Sequence, residues 1–231
     1  MNILITGATG FVGSHMVDYI LKYAIRPDQK VYCTKRWMED TKNLDHINHD
    51  SFEYIDCDLL DGMSVKRAVE ISKPSKVFHF AAQSFPEVSF KIPVITLQTN
   101  IIGTTHLLES IKESDYNPTI VSVSSSEVYG NPNKDEVPIT ETNPIRPANP
   151  YSISKVGHDL MSQYYHKAYD MKIIITRMFS HEGARRGKEF ALSSFARQIA
   201  KAEKLNGEQF IYHGNLNSTR TYAHIDDAIS A

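Results

Sequence analysis

Tyr151 and Lys155 stand four residues apart, directly after Asn149 and Pro150. An Asn followed by Pro supplies an N-cap and a proline for the first helical turn, so a helix is predicted to open at Tyr151. On that helix the two side chains share a face and their heads can converge. An ammonium beside a phenol favours the phenolate and lowers a pKa that starts near about 10, which suits the tyrosine to general-base work. A second set of residues lies at the N-terminus, where TGATGFVG places Gly7, Gly10 and Gly13 around the start of an amphipathic stretch at Phe11 and Val12. Glycines at a strand-to-helix junction allow a tight turn and bring backbone N–H groups close to a pyrophosphate at the helix N-terminus. The next apolar run ends in Lys35-Arg36, where a site for NAD usually carries Asp or Glu. Arg36, with Lys35 beside it, suits the 2′-phosphate of NADP, so NADP is the expected cofactor and NAD the alternative.

These residues need strands and helices to hold them. Short apolar runs rich in β-branched residues occur at 2–6, 30–34, 52–57, 76–80, 119–124 and 172–177. Stretches with helical spacing of apolar residues separate them at 11–24, 62–72, 94–112 and 151–169. Near-continuous apolar strands imply burial on both faces, and β/α alternation implies an α/β fold, a Rossmann-type doubly wound parallel sheet. Asp61 is the expected N-cap of its helix. Residues 131–149 carry four prolines, Pro132, Pro138, Pro144 and Pro147, and read as a long loop. After Arg177 the alternation breaks, a helix follows near 190–205, and the sequence closes in the first turns of another. The expected division is a dinucleotide-binding domain over 1–178 and the opening of a substrate-binding portion over 179–231.

The chain has 231 residues, and 25 Lys plus Arg against 27 Asp plus Glu give a formal charge of -2. No basic run, heptad stretch or long apolar segment occurs, so neither nucleic acid nor a membrane is an expected partner. Met1 leads straight into NILITG without a signal-like segment, and a cytoplasmic location is expected. Cys33 and Cys57 each lie in an apolar run rather than in a ligand spacing and read as buried free thiols. The ten histidines show no metal-ligand spacing. No metal is expected, and His158 and His166 are placed at the surface or at an interface.

Several stretches together resemble the extended short-chain dehydrogenase/reductase superfamily. They are TGxxGxxG, the run from His79 to Ser84, the pair Asn100 and Gly103, the run SSSEVYG from Ser124, and Tyr151 with Lys155. AAQSF, RPANPYSISK, HEGARRG and GNLNSTR make the sequence most similar to the GDP-mannose 4,6-dehydratases, with the GDP-4-keto-6-deoxymannose reductases as near relatives. The resemblance implies that Gly7, Gly10, Phe11, Val12 and Gly13 hold the dinucleotide phosphates. It places Asp58 and Leu59 at the adenine, and Ala81, Ala82 and Gln83 at the nicotinamide-side ribose. It makes Ser125, Tyr151 and Lys155 a catalytic triad, with Glu127 as a second acid/base. Ser84, Ser126, Arg185, Asn215 and Arg220 are assigned to a GDP-sugar substrate.

The activity so implied is an internal redox cycle: oxidation at C4 of the sugar, loss of water across C5 and C6 with Glu127 as the base, and re-reduction at C6. Three positions depart from the family pattern. Ser125 stands where Thr is usual, Ser180 where Asn is common, and Ala184 where Pro is common. A ketoreductase, another nucleotide-sugar epimerase or dehydratase, and a cofactor-binding protein without turnover therefore remain open. The last follows from an expected incomplete substrate-binding portion, since relatives ordinarily continue further. The resemblance also implies a homodimer or homotetramer assembled through helices 94–112 and 151–169.

Overall fold

The computed structural model describes residues 2–207 and 209–231. Two compact units divide it, 1–178 and 179–231. In the first, five-residue strands β1 (Asn2–Thr6), β2 (Val31–Lys35) and β3 (Phe52–Asp56) join β4 (Pro74–His79), β5 (Thr119–Val123) and β6 (Ile173–Thr176). All pairings are parallel, and the order across the sheet is β3-β2-β1-β4-β5-β6. That is the doubly wound Rossmann order, whose reversal between β1 and β4 opens a crevice at the carboxyl ends of the strands.

Helices α1 (Phe11–Tyr19), α2 (Gly62–Ser72), α3 (Pro86–Lys91), α4 (Pro93–Leu97), α5 (Gly103–Lys112) and α6 (Pro150–Tyr169) cover the sheet. The expected caps are made: Asp61 accepts from the Met63 N–H at 3.0 Å, and Asn149 accepts from the Ser152 N–H at 2.8 Å. Pro93 at the first turn of α4 separates it from α3, and Gln98–Ile102 is a π-helical turn leading into α5. The core joins Leu4, Val77 and Ile120 of the sheet to Val65, Val69, Leu107, Leu108 and Tyr165 of α2, α5 and α6. Cys33 and Cys57 are buried free thiols, and burial pushes both thiol pKa values up, Cys57 to about 11.

Several features differ from the sequence expectation. Helix α3 has only six residues, too few to show a period. Strand β2 runs one residue further, because Lys35 pairs with Asp56 across the β2–β3 ladder at 2.6 Å. His158, expected at a surface or interface, is 1% exposed on the sheet-facing side of α6, because buried hydroxyls supply its ring nitrogens with partners.

The second unit contains two three-residue parallel strands, β7 (Ser180–Glu182) and β8 (Tyr222–His224), which the sequence reading did not find. Helices α7 (Ala191–Ala202) and α8 (Ile225–Ser230) belong to the same unit. Among the described residues no helix is long and apolar enough to cross a membrane.

Candidate active site

The glycine turn is built against the ends of β1 and β4. Gly7 has φ +68°, a left-handed conformation that glycine adopts without penalty, and a Cβ there would lie 2.7 Å from the Ala81 nitrogen. Gly13 packs α1 onto the turn, since its Cβ would lie 2.2 Å from the Gly7 carbonyl oxygen. Gly10 is the N-cap of α1, no side chain caps that end, and the first turn carries no acidic residue. A Cβ on Gly10 would meet only the Gly7 oxygen, at 3.3 Å, so the space beside it is open to a ligand. Phe11 and Val12 follow in the first turn, where backbone N–H groups and the helix dipole favour an anion.

Beyond the ends of β2 and β3 lies a cavity of about 480 Å³ lined by Arg36, Trp37, Asp58 and Arg67, among others. Lys35 is committed to Asp56, whereas Arg36 is 67% exposed at its side chain with Glu39 3.4 Å away. Asp58 is exposed, and Leu59 is buried beneath it with its carbonyl accepting from His106 Nδ1 at 2.7 Å. At the end of β4 the Ala81 N–H donates to Thr6 Oγ1 at 3.3 Å, and the Gln83 backbone is gripped at both ends by Asn100. Gln83 turns its own amide to the Phe85 carbonyl and Thr96, Ala82 is half-buried, and Ser84 is exposed.

Ser125 caps a single 3-10 turn, Ser126–Tyr129, its Oγ accepting from the Glu127 N–H at 3.2 Å. The Ser126 N–H donates to the Met178 carbonyl at 2.9 Å. Asn149, the cap of α6, also donates from Nδ2 to Glu127 Oε2 at 3.5 Å, so one residue ties that carboxylate to the start of the helix carrying Tyr151 and Lys155. Tyr151 is buried, its backbone N–H donating to Ser89 Oγ and its carbonyl accepting from Ser154 Oγ, which in turn accepts from Asn100. Arg177 at the end of β6 forks onto the fully buried Asp159 of α6 and donates to the Tyr129 hydroxyl at 2.9 Å, fixing the far end of the Glu127 turn. Burial raises the Asp159 carboxyl, but Arg177 and Gln163 outweigh it and hold the group below the usual carboxylate range.

Lys155 is 4% exposed and its Nζ donates to the Val123 carbonyl at 2.7 Å. Burial pulls its pKa down from 10.5 to about 8. Below pH 8 both folded and unfolded chains carry the proton and the buried charge costs its full amount. Between about 8 and 10.5 the unfolded chain binds more protons, so stability rises with pH. Lys155→Met is therefore expected to be more stable than the wild type at pH 7, by at most roughly 3 kcal/mol. Urea denaturation of both proteins checks it: the margin should shrink above pH 8, and a margin independent of pH refutes a depressed lysine.

Arg185, Asn215 and Arg220 belong to the second unit. Arg185 has φ +69° in the turn after β7, and Asn215 and Arg220 are exposed. Their assignment to a ligand rests on the sequence resemblance alone. The sequence reading had no signal for His106 under Leu59 or for the Asp159–Arg177–Tyr129 contacts, which join residues far apart in the chain. Among the described residues no group of three or more His, Cys, Asp or Glu could hold a metal.

The six-stranded parallel order, the glycine turn and the Tyr151–Lys155 helix define an extended short-chain dehydrogenase/reductase. A sequence profile of the GDP-mannose 4,6 dehydratase family matches residues 4–231, and the chain belongs to that family. It is 31% identical over 236 residues to the GDP-mannose 4,6-dehydratase of Yersinia enterocolitica, covering 98% of this chain and 62% of that one. The chain thus spans about three fifths of the length of such curated relatives. DesIV of Streptomyces venezuelae, a dTDP-glucose 4,6-dehydratase solved with NAD, superposes with a TM-score of 0.87 at 28% identity, over 100% of this chain and 70% of that one. RMD of Pseudomonas aeruginosa, solved with NADPH, gives 0.78 at 27% identity over 99% and 71%.

Proposed function

We propose that this chain carries the catalytic machinery of an NADP-dependent GDP-mannose 4,6-dehydratase, which converts GDP-mannose to GDP-4-keto-6-deoxymannose. The observation that carries this reading is Asn149, which caps the Tyr151–Lys155 helix and donates to Glu127 at 3.5 Å. A base for the sugar hydroxyl and a base for C5 are thereby held from one point. The cofactor fits the residues present: the open Gly10 and the uncapped start of α1 suit the pyrophosphate, and Arg36 and Arg67 offer the 2′-phosphate two cations in a cavity that Glu39, Asp56, Asp58 and Asp61 also line. Lys35 is engaged by Asp56 at 2.6 Å and Arg36 pairs with Glu39 at 3.4 Å, and the more exposed Arg36 is the residue assigned to favour NADP over NAD. The relatives solved with NAD and with NADPH support a nicotinamide cofactor of either kind.

When bound, NADP supplies a hydride acceptor for C4 and, once reduced, a hydride for C6, with no net consumption. Tyr151 as phenolate takes the C4 hydroxyl proton, the Lys155 ammonium favours that phenolate, and Ser125 donates to the C4 oxygen. With C4 a ketone the C5 proton is acidic. Glu127 removes it while hydroxide departs from C6, protonated to water by Glu127 itself or through Ser126, and the proton that Tyr151 took from the C4 hydroxyl goes to C5 to balance the hydride at C6. Arg185, Asn215 and Arg220, with Ser84, are assigned to the GDP-sugar. The exposed Val94 and Ile95 of α4 and Ile102 of the π-helical turn before α5, with Ile153, Leu160 and Tyr164 of α6, support a homo-oligomer formed through these helices.

Incubation with GDP-mannose and no added NADPH is expected to give a product lighter by one water. Glu127→Gln is expected to slow its formation by about 10²-fold or more, with nucleotide binding within about threefold of the wild type. NADPH consumed on a 4-keto sugar, with GDP-mannose untouched, overturns the dehydratase in favour of a ketoreductase.

A further inference from the structure

Beneath the candidate active site runs a buried hydrogen-bonded string to which the proposed chemistry assigns no part. The Thr6 hydroxyl meets His79 Nδ1 at 2.7 Å, and His79 Nε2 meets Thr104 Oγ1 at 2.9 Å. Thr104 Oγ1 also meets His158 Nδ1 at 2.9 Å and the Asn100 carbonyl at 2.8 Å. His158 Nε2 meets Ser122 Oγ at 2.7 Å, which meets Ser162 Oγ at 2.8 Å. The two imidazoles stack with centroids 5.5 Å apart and planes within 4°. His79 is 2% exposed and the remaining side chains of the string are equally buried.

Counting protons gives each bond a direction once the Thr104 hydroxyl is assigned to the Asn100 carbonyl, which the His158 ring also approaches. A carbonyl can only accept, so with the single Thr104 proton on Asn100 the Thr104 oxygen accepts from both imidazoles. His79 is then the Nε2–H tautomer, accepting from Thr6 at Nδ1. His158 is the opposite tautomer, donating from Nδ1 and accepting from Ser122 at Nε2. Both rings are neutral in this arrangement. Burial, with the Lys155 charge adding to it, lowers both pKa values, that of His79 to about 3.

The string joins the parts that the reaction must hold in register. Thr6 adjoins Gly7 of the phosphate turn and accepts from Ala81. His158 lies one turn after Lys155 on α6, and the two residues grip neighbouring positions of β5, Ser122 and the Val123 carbonyl. Two residues beyond Val123 the same strand delivers Ser125.

We propose that His158, acting with His79 through the shared Thr104 hydroxyl, is a positioning residue that sets α6 against both the nucleotide turn and the end of β5, and so places Tyr151 and Lys155. The proposal rests on Tyr151 and Lys155 being the reacting groups. Misplacement by about 1 Å can cost about 10²-fold in rate, so a fixed attachment at this point has kinetic consequences. It differs from packing in requiring particular tautomers.

Nitrogen-15 NMR of the wild-type imidazoles at pH 7 is expected to show His79 protonated at Nε2 only and His158 at Nδ1 only. A charged ring, or the other tautomer at His158, overturns the proposal whether or not the protein turns over. Thr104→Val removes the shared acceptor at constant shape and is expected to lower kcat about 10-fold to 100-fold, with KM and the NADP Kd within about threefold; Thr104→Ser should restore the rate. On saturation with NADP the His158 signals should move in the wild type and not in Thr104→Val. Unchanged kcat and an unchanged His158 response in a folded Thr104→Val protein refute the attachment. A wild type without any turnover on GDP-mannose instead removes the proposed function and leaves the two NMR measurements to decide this one.

Discussion

Replacing Tyr151 by phenylalanine is expected to reduce turnover of GDP-mannose by about 10³-fold to 10⁴-fold, with the melting temperature and nucleotide affinity close to those of the wild type. Two of this residue's hydrogen bonds are made by its backbone and are untouched by the change. Its N–H donates to Ser89 Oγ and its carbonyl accepts from Ser154 Oγ, both from the backbone, and the ring is 8% exposed. Phenylalanine keeps those bonds and that packing and lacks only the hydroxyl. Asn149 and Pro150 still start the helix, so Lys155 stays where it is. Single-turnover formation of the 4-keto product, beside a thermal melt and a calorimetric titration with NADP, measures all three quantities. A Phe variant that turns over at the wild-type rate takes Tyr151 out of the chemistry.

Tyr151 and Lys155 were legible because their relation is local. A spacing of four on a helix announced by Asn-Pro needs no knowledge of the rest of the chain. The same holds for the glycine turn and for the Asp61 and Asn149 caps. The sheet was legible for a related reason: strands buried on both faces must be nearly continuous in apolar residues, and alternation with helices allows few orders. What escaped the sequence reading depends on partners far away. His158 looks like a surface residue by polarity, and only Thr104, 54 residues away, and Ser122, 36 residues away, make its burial tolerable. Lys35 and Arg36 are neighbours in sequence, yet Lys35 pairs with Asp56 opposite it on β3 and Arg36 with Glu39 three residues on. The parallel pair β7 and β8 escaped because three residues carry no period, and its partners are about forty positions apart.

Gly13→Ala is expected to lower the melting temperature and to weaken NADP binding by about 10²-fold or more, through geometry rather than chain flexibility. The added Cβ would lie 2.2 Å from the Gly7 carbonyl oxygen and 2.8 Å from the Ala8 Cα, both backbone atoms that no rotamer change can move aside. Nor can the turn retreat, since the position of a Gly7 Cβ is already 2.7 Å from the Ala81 nitrogen on its other side. Helix α1 must therefore lift away from the turn by about 1 Å, and overpacking of this kind costs about 1–3 kcal/mol. Lifting α1 carries its N-terminal N–H groups off the phosphate position, so affinity falls together with stability. Gly10→Ala separates the two effects. Its Cβ meets the Gly7 oxygen at 3.3 Å, a tight contact relieved by a shift of a few tenths of an ångström, and otherwise enters open space, so the fold should lose far less than in Gly13→Ala while a phosphate seated there is displaced. Thermal melts and calorimetric titration of the two variants should thus show one that loses much stability together with binding and one that loses binding with little stability. Wild-type affinity for NADP in both would mean that the phosphates lie somewhere other than this turn.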